Sequence, residues 1–305
     1  MKILITGGAG FIGSNLVLSL QKNNEVTVID NLFTGNIKNL DNYEGEILNI
    51  DISKPFELKE GFDVIIHEAS ITDTTFKPDE EMIKQNVNGF KNILNFALKN
   101  NSTLVYASSA AVYGNGKVPM EEDQRLNPLN AYAKSKAMID EIAKKYMEKI
   151  RIVGLRYFNV FGPREQYKGK SASMILQLRK QIMSGKNPKL FKFGEQKRDH
   201  IYVKDVVRAT IKAIKAESGI YNVGTGIATS FNELVNVLNE ILKTENEIEY
   251  FDNPIERYYQ NNTQASTKLA ESMLKWKAEY SLKKGIKEYM KWLEENEGEI
   301  NRDTR

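Results

Sequence analysis

The sequence predicts an α/β protein: a Rossmann-like, doubly wound parallel sheet with a smaller α/β cap domain. Three observations support this prediction. Glycines separate the first apolar run from an amphipathic segment, short apolar runs then alternate with helical patterns, and the alternation breaks down beyond about residue 160. Such alternation is typical of βαβ units, in which helices cover both faces of a parallel sheet.

The first thirty residues have the pattern of a strand, a turn and a helix. An apolar run at 3–5 stops at four glycines within 7–13, and an amphipathic segment covers 11–22. Glycines at such a turn let backbone N–H groups approach a pyrophosphate, which the helix N-terminus also favours. A second apolar run, 26–29, ends in Asp30, at the spacing of a ribose-binding acid. This unit therefore predicts a dinucleotide site.

The later elements follow in order. Strands are predicted at 47–52, 64–66, 104–107, 152–157 and 220–223. Helices are predicted from Pro78, and at 130–146, 174–183, 205–215, 231–242 and 282–293. We predict that residues 1–165 form the dinucleotide-binding domain, to which 203–224 return. Residues 166–202 and 225–305 then form the cap, which binds substrate.

Composition excludes several functions. The 305 residues are 41% hydrophobic, which is enough for a sizeable core, and carry a net charge of +3 with both signs interspersed. We therefore predict neither nucleic acid nor a membrane as a partner. The absence of cysteine excludes thiolate chemistry, and the isolated His67 and His200 are interpreted as structural, so no metal site is predicted. No window reaches the ~18 apolar residues of a membrane span, and we expect a cytoplasmic protein.

Candidate catalytic residues lie near the predicted strand ends, where parallel sheets bind ligands. Tyr132 and Lys136 are four residues apart in a predicted helix, so their side chains share a face. An adjacent ammonium and a cationic nicotinamide ring would both lower the tyrosine pKa and make it a usable proton shuttle. Ser109 precedes this helix and can hold a substrate oxygen. The same spacing occurs twice more. Tyr113 and Lys117 span a predicted glycine turn, so their side chains need not share a face, and Tyr280 and Lys284 lie far from any predicted strand end.

Three features of the sequence are considered together: TGGAGFIG at 6–13, the set Ser109, Tyr132 and Lys136, and RYFNVFGPRE at 156–165. They resemble the extended short-chain dehydrogenase/reductase family, and the resemblance covers essentially the whole chain. The segments 67–75, 106–114, 167–173, 188–191, 198–207 and 258–265 resemble, more narrowly, the heptose 6-epimerases of that family. The resemblance implies an enzyme that inverts C6 of an ADP-linked heptose by transient oxidation, with a tightly held nicotinamide cofactor.

The resemblance also implies residue roles. Tyr132 and Lys168 would be the two proton-transfer groups, Lys136 would bind the nicotinamide ribose, and Ser109 would hold the reacting oxygen. Arg198 matches a diphosphate clamp, because guanidinium binds phosphate bidentately. Cofactor contacts, besides Tyr132 and Lys136, are expected at Gly7, Gly10, Phe11, Ile12, Gly13, Asp30, Asn31, Lys38, Asp51, Glu68, Ala69, Ser70 and Asn86. Substrate contacts are expected at Ser109, Asn159, Lys168, Ser171, Phe191, Arg198 and Tyr259.

The cofactor prediction is NADP, one per subunit, with NAD as the alternative. An acid such as Asp30 accepts hydrogen bonds from a free ribose 2′-OH and repels a 2′-phosphate, which favours NAD. Lys38 lies close to the position of the lysine with which the family neutralises that phosphate, which favours NADP.

Alternative functions remain. The runner-up is a UDP-hexose 4-epimerase or a related nucleotide-sugar epimerase; a 4,6-dehydratase is disfavoured because no acids follow Ser109. A non-catalytic nucleotide sensor is disfavoured because Ser109, Tyr132 and Lys136 are all present. For Arg198 the alternative is a surface ion pair with Asp199. The resemblance also implies a homo-oligomer, a pentamer.

Overall fold

The computed structural model describes residues 1–73, 76–254 and 259–303. Two residues of the motif segments lie outside these ranges: Thr75, the last residue of 67–75, and Tyr258, the first residue of 258–265. The strands are β1 (Lys2–Thr6), β2 (Glu25–Ile29), β3 (Glu46–Leu48), β4 (Val64–His67), β5 (Thr103–Ser109), β6 (Ile152–Tyr157), β7 (Asn159–Phe161), β8 (Lys189–Phe191), β9 (Lys197–Tyr202), β10 (Gly219–Val223), β11 (Ala228–Ser230) and β12 (Glu249–Phe251). The helices are α1 (Phe11–Leu20), α2 (Asp79–Asn100), α3 (Ala131–Lys144), α4 (Met174–Met183), α5 (Val203–Ala213), α6 (Phe231–Leu242) and α7 (Leu282–Asp303).

A seven-stranded sheet forms the centre of the molecule, in the order β10, β6, β5, β4, β1, β2, β3. Each neighbouring pair is parallel. The chain builds outward from β1 in one direction and from β4 in the other, so the strand order reverses between these two strands. Ligands of doubly wound sheets bind at such a reversal.

The alternation of side chains along β1 explains the two layers of helices. Ile3 and Ile5 point into the core shared with α1 and α5, whereas Leu4 points into the core shared with α2 and α3. All three side chains are fully buried. A strand that is covered on both faces has a continuous apolar sequence, as this one does. The predicted Rossmann-like sheet is therefore confirmed.

A smaller layer of structure covers the carboxyl ends of the central strands. It contains a three-stranded sheet, β11-β9-β7, and a two-stranded one, β12-β8. Helices α4, α6 and α7 pack together there around apolar residues that include Leu176, Leu234 and Tyr289. Among the helices within the described ranges, none has the length and apolarity to cross a membrane. The division into domains stays a prediction.

Three predicted elements differ from the structure in their bounds. The helix expected at 282–293 continues to Asp303 as α7. The strand expected at 47–52 is only the three residues of β3, because Asp51 turns the chain by accepting the Ser53 N–H at 3.0 Å. The helix expected from Asp205 begins earlier, at Val203, and the Asp205 carboxylate lies inside its first turn, where it accepts N–H groups of Glu279 and Tyr280.

Candidate active site

The glycine turn after β1 forms one wall of a cavity of about 520 Å³ at the reversal of strand order. Gly7 has a φ of +70°, and a Cβ there would lie 2.6 Å from the Ala69 backbone nitrogen. A Cβ on Gly13 would lie 2.1 Å from the Gly7 carbonyl oxygen. Only glycine fits either position, and its absence of a side chain lets α1 begin directly against the turn.

Most of the predicted cofactor contacts line this cavity. They are Gly7, Gly10, Phe11, Ile12, Gly13, Asp30, Asn31, Asp51, Glu68, Ala69, Ser70 and Asn86. Two predicted substrate residues, Lys168 and Ser171, line it as well. Lys38 is exposed and lies outside the lining. The Ser70 hydroxyl is buried and has no hydrogen-bond partner among the residues the structure describes, so it is available to a bound group.

Asp30 is held by the backbone. Its Oδ2 accepts the Ala9 N–H at 2.9 Å and its Oδ1 accepts the Leu32 N–H at 2.8 Å. Burial raises the pKa of the carboxyl against these two hydrogen bonds. The residue predicted as a ribose acid therefore also organises the loop after β2, a role that the sequence did not indicate.

Asn86 has a different environment from that of an ordinary helix asparagine, which is usually polar surface. It is buried, its Oδ1 accepts the Ile71 N–H at 2.8 Å, and its Nδ2 donates to Ile71 O and to Ser135 Oγ, both at 3.1 Å. These bonds join α2, the segment after β4 and α3. Asn86 shapes the cavity wall while its polar atoms are already bonded within the chain.

Tyr132, Lys136 and Ser109 come together as predicted from their spacing. Lys136 is buried, its Nζ donates to Ala107 O in β5 at 2.7 Å, and it lies 5.8 Å from the centre of the Tyr132 ring. The Ser109 side chain hydrogen-bonds to Tyr132. Tyr132 packs against an apolar cluster that includes Ile71, a residue of the cavity lining, whereas Tyr132, Lys136 and Ser109 are not themselves among the residues that line the cavity.

The ionisation of the pair differs from the sequence expectation. Burial raises the pKa of Tyr132 to about 12; the Ser109 hydrogen bond acts in the opposite direction, and the charge of Glu68 adds to the rise. Burial lowers the pKa of Lys136 to about 8, although Glu68 and Asp140 raise it. A lowered tyrosine pKa was expected, and within this chain alone desolvation of the phenolate outweighs the groups that would stabilise it.

Tyr157 is a polar residue of the site that the sequence analysis missed. Its hydroxyl donates to Glu68 Oε1 at 2.8 Å and lies 2.9 Å from Thr210 Oγ1. It ends β6 and sits beside Ser109 of β5 in the register of the sheet. The signal that could have found it is its position at a strand end, the same signal that indicated Ser109.

Lys168 lies in the short 3-10 segment Gln166–Ser171. Its Nζ is 5.4 Å from the centre of the Phe11 ring, at the start of α1. Burial lowers the pKa of Lys168, while the charge of Glu165 raises it. The cavity lining thus contains a partly buried lysine.

Arg198 is buried among aromatic rings. Its guanidinium lies 4.8 Å from the centre of the Tyr259 ring and 5.5 Å from that of Phe231. Asp199 is occupied elsewhere, because its Oδ1 accepts the Thr225 N–H at 2.8 Å and hydroxyl at 2.6 Å. The alternative of a surface ion pair between Arg198 and Asp199 is therefore wrong.

The remaining predicted substrate residues lie around Arg198. The Phe191 ring makes an edge contact with Tyr259, with centres 5.3 Å apart. Asn159 is exposed, and its Oδ1 accepts the Thr263 hydroxyl at 3.1 Å. The Arg198 guanidinium is thus enclosed by Tyr259 and Phe231, and its Nη1 donates to Lys197 O at 2.9 Å and Asn261 O at 3.3 Å.

The model of the NAD dependent epimerase/dehydratase family matches residues 3–224, and the chain belongs to this family. An ADP-L-glycero-D-manno-heptose-6-epimerase from Brachyspira hyodysenteriae is 38% identical over 314 aligned residues, covering 97% of this chain and 99% of the relative. The crystal structure of the Helicobacter pylori ADP-L-glycero-D-manno-heptose-6-epimerase is 42% identical, with a TM-score of 0.90 and 96% of each chain covered. A Thermus thermophilus UDP-glucose 4-epimerase in complex with NAD is 26% identical, with a TM-score of 0.83 and 95% and 98% covered.

Proposed function

We propose that this protein converts ADP-D-glycero-D-manno-heptose to ADP-L-glycero-D-manno-heptose by inverting C6. The observation that carries the proposal is the Tyr132–Lys136 pair, whose ammonium lies 5.8 Å from the centre of the phenol ring, together with Lys168 in the lining of the cavity beside the glycine turn. The choice of sugar is supported by relatives of that name at 38% and 42% identity, against 26% for the UDP-glucose 4-epimerase.

The residues divide the chemistry between two sides of the reacting carbon. When bound, the nicotinamide cofactor supplies a reversible acceptor of hydride. Oxidation at C6 releases the hydroxyl proton, and one of the pair Tyr132 and Lys168 accepts it. After the keto sugar has turned over, the other returns a proton to the carbonyl oxygen from the opposite side. Ser109 holds the reacting oxygen, and Arg198 binds the diphosphate. Protons and electrons are both returned, so the net redox change is zero.

The cavity fits a dinucleotide cofactor. The glycine turn exposes a helix N-terminus to it, and the buried Ser70 hydroxyl lacks a partner among the described residues. We propose NADP rather than NAD. The support for NADP comes from the family resemblance, in which a lysine close to the position of Lys38 neutralises the 2′-phosphate; Lys38 itself is exposed and lies outside the cavity lining.

The deciding experiment uses the purified protein without added cofactor. We incubate it with ADP-D-glycero-D-manno-heptose and follow the configuration at C6 by NMR. Conversion to the L-glycero epimer supports the reaction, the sugar and a cofactor that co-purifies. Failure with both NADP and NAD supplied would contradict the proposal, and UDP-glucose would then test the 4-epimerase alternative.

The cofactor and the assembly need separate measurements. Denaturing the purified protein and identifying the released nucleotide distinguishes NADP from NAD.

We also propose a domain division and an oligomeric state. Residues 1–165 with 203–224 form the cofactor domain, and the remainder forms the cap. The protein is a homo-oligomer, a pentamer by family resemblance. Light scattering of the eluted protein measures the number of subunits.

A further inference from the structure

Glu165 is a fully buried carboxylate that the proposed chemistry does not use, although it ends the RYFNVFGPRE motif. Its Oε1 accepts the Gly162 N–H at 3.2 Å and the Ser173 hydroxyl at 2.8 Å, and its Oε2 accepts the Ser173 N–H at 2.6 Å. Both oxygens therefore act as acceptors, as those of an ionised carboxylate do. This one side chain joins the turn 162–165 to Ser173, eight residues further along the chain.

The segment between Glu165 and Ser173 carries Lys168. The Lys168 N–H donates to Glu165 O at 3.0 Å. The Ser173 hydroxyl that bonds Glu165 also accepts the Leu176 N–H at 3.3 Å and so caps the start of α4. Glu165 thus contacts the segment at Lys168 through its carbonyl and at the far end through its carboxylate.

The turn 162–165 is itself bonded to α1, beside the cavity. Asn15 of α1 donates from Nδ2 to Pro163 O at 3.0 Å and to Phe11 O at 2.8 Å. Phe11 is the first residue of α1, lines the cavity and has its ring centre 5.4 Å from Lys168 Nζ. The position of Lys168 relative to the cavity lining therefore depends on how the segment is held to this turn.

The packing of the segment contributes little to holding it. None of the residues Gln166–Ser171 is buried, and a Cβ on Gly169 would have no atom within 4 Å apart from its chain neighbours. Gln177 of α4 donates to Lys170 O at 3.2 Å and to Ala172 O at 2.7 Å. Segments with few buried apolar contacts open easily. Because hydrogen bonds to a charged acceptor are about twice as strong as neutral ones, the bonds of Glu165 stabilise the segment more than those of Gln177 do.

We propose that Glu165 is a positioning residue for Lys168: its buried carboxylate holds the segment 166–173 against the turn 162–165 and so fixes the Lys168 ammonium at the cavity. The inference rests on the proposed function, in which Lys168 is one of the two proton-transfer groups. Such a group acts only within hydrogen-bond reach of the atom that it protonates, so a displacement of the segment reduces its effect.

The test is Glu165→Gln, which keeps the size of the side chain but replaces one acceptor oxygen by an N–H₂ donor. Whichever way the amide is turned, the N–H of Gly162 or that of Ser173 then faces a donor. We expect kcat for the sugar, followed by NMR, to fall about tenfold, because a displacement of about 1 Å can cost up to 10²-fold. The nucleotide should still co-purify, since the glycine turn is unchanged.

Asp205→Asn is the matched control for a general loss of stability. Asp205 is another buried carboxylate, and it accepts the N–H groups of Glu279 and Tyr280. Both variants should unfold at a lower urea concentration than the wild type, but Asp205→Asn should keep kcat near that of the wild type. An equal fall of kcat in the two variants would overturn the proposal.

The double variant Glu165→Gln with Lys168→Met shows whether Glu165 acts through Lys168. When the ammonium is already absent, its position no longer matters, so Glu165→Gln should lower kcat by less than about twofold in the Lys168→Met background. A purely structural role would give the same fold-change in both backgrounds. That result would also overturn the proposal.

Hydrogen exchange measures the hold on the segment without the sugar. Mass spectrometry of the peptides that cover 166–173 should show faster amide exchange in Glu165→Gln than in the wild type and in Asp205→Asn. Unchanged exchange would overturn the inference, even if the wild type converts the heptose. Faster exchange in a protein that converts no heptose would contradict the proposed function and support the hold on the segment.

Ser173→Ala gives a second measurement should Glu165→Gln not fold. It removes the hydroxyl bond to Glu165 but keeps the carboxylate and its bond to the backbone of residue 173. Because the cap of α4 is lost as well, exchange is compared within 166–172 only. We expect faster exchange there and a fall of kcat, both smaller than those expected for Glu165→Gln. No change in either would count against the role of Glu165.

Discussion

The Lys136 ammonium lies 5.8 Å from the centre of the Tyr132 ring, one turn further along α3, and is anchored to the Ala107 carbonyl of β5. This anchor ties the ammonium to the sheet rather than to the phenol. The tyrosine hydroxyl can therefore be removed without releasing the lysine, and the contributions of the two side chains can be measured separately.

Tyr132→Phe should lower the turnover of the sugar by about 10²–10⁴-fold, the usual contribution of a positioned proton-transfer group. Because Lys136 keeps its bond to Ala107, the cofactor should still co-purify. NMR of the sugar gives the rate, and the nucleotide released on denaturation gives the occupancy. Full turnover in this variant would exclude Tyr132 as a proton-transfer group.

Lys168→Met should also lower turnover, by about 10²-fold or more, because one side of the reacting carbon would lose its proton-transfer group. Lys170→Met is the matched control, since Lys170 is an exposed lysine in the same 3-10 segment. We expect turnover in the control to stay near that of the wild type. Equal losses in the two variants would indicate a general charge effect instead.

Arg198→Lys should raise KM for the sugar by about tenfold and leave kcat nearly unchanged. An ammonium keeps the charge of Arg198 but loses the planar fork that binds phosphate oxygens and stacks on Tyr259. Lys197→Met serves as the control, because the neighbouring Lys197 is exposed. Steady-state kinetics give KM and kcat for both variants. A fall in kcat with an unchanged KM in Arg198→Lys would be inconsistent with a role of Arg198 in binding the substrate.

Asp140→Asn should strongly destabilise the fold. The Arg156 Nε lies 2.9 Å from Asp140 Oδ2, and the two side chains are 1% and 0% exposed. Removing one partner leaves a buried charge uncompensated, which costs about 3–5 kcal/mol of unfolding free energy. Urea unfolding followed by circular dichroism measures the loss. Glu240→Gln, which breaks an exposed pair with Lys283, should shift the midpoint little, and a comparable shift would refute the argument.

His200→Phe should flatten the dependence of stability on pH. Burial lowers the pKa of His200 from 6.5 to about 3, so the unfolded chain binds a proton that the folded one does not. The stabilising contribution of this residue is complete above about pH 6.5 and is lost as the pH falls toward 3. Urea unfolding at neutral and acid pH should show that the free energy of unfolding falls less at acid pH in the variant than in the wild type. Parallel curves for the two proteins would contradict this assignment.

Many of the residues predicted to contact the cofactor line one cavity, because the signals that pointed to them are local. The four glycines, the acid at the end of β2 and the helix that follows lie within thirty residues, and each has a conformational reason to be where it is. Lys38, Tyr132 and Lys136 are the exceptions, because none of these three predicted cofactor contacts is among the residues that line the cavity. Lys38 lies in the short 3-10 helix Ile37–Leu40, which is bonded to the glycine turn through Asn39 Nδ2 and Ala9 O at 3.0 Å, but Lys38 itself is exposed.

The sequence by itself determined the parallel sheet, the glycine turn and the shared face of Tyr132 and Lys136, because strand and helix periodicities are properties of neighbouring residues. Only the tertiary structure decided the ionisation of that pair. Glu68 and Tyr157 are 89 residues apart in the chain and 2.8 Å apart in space, and the pKa of Lys136 depends on its burial and on the charges of Glu68 and Asp140. Desolvation and Coulomb interaction act through distance in space, which spacing along the chain does not encode.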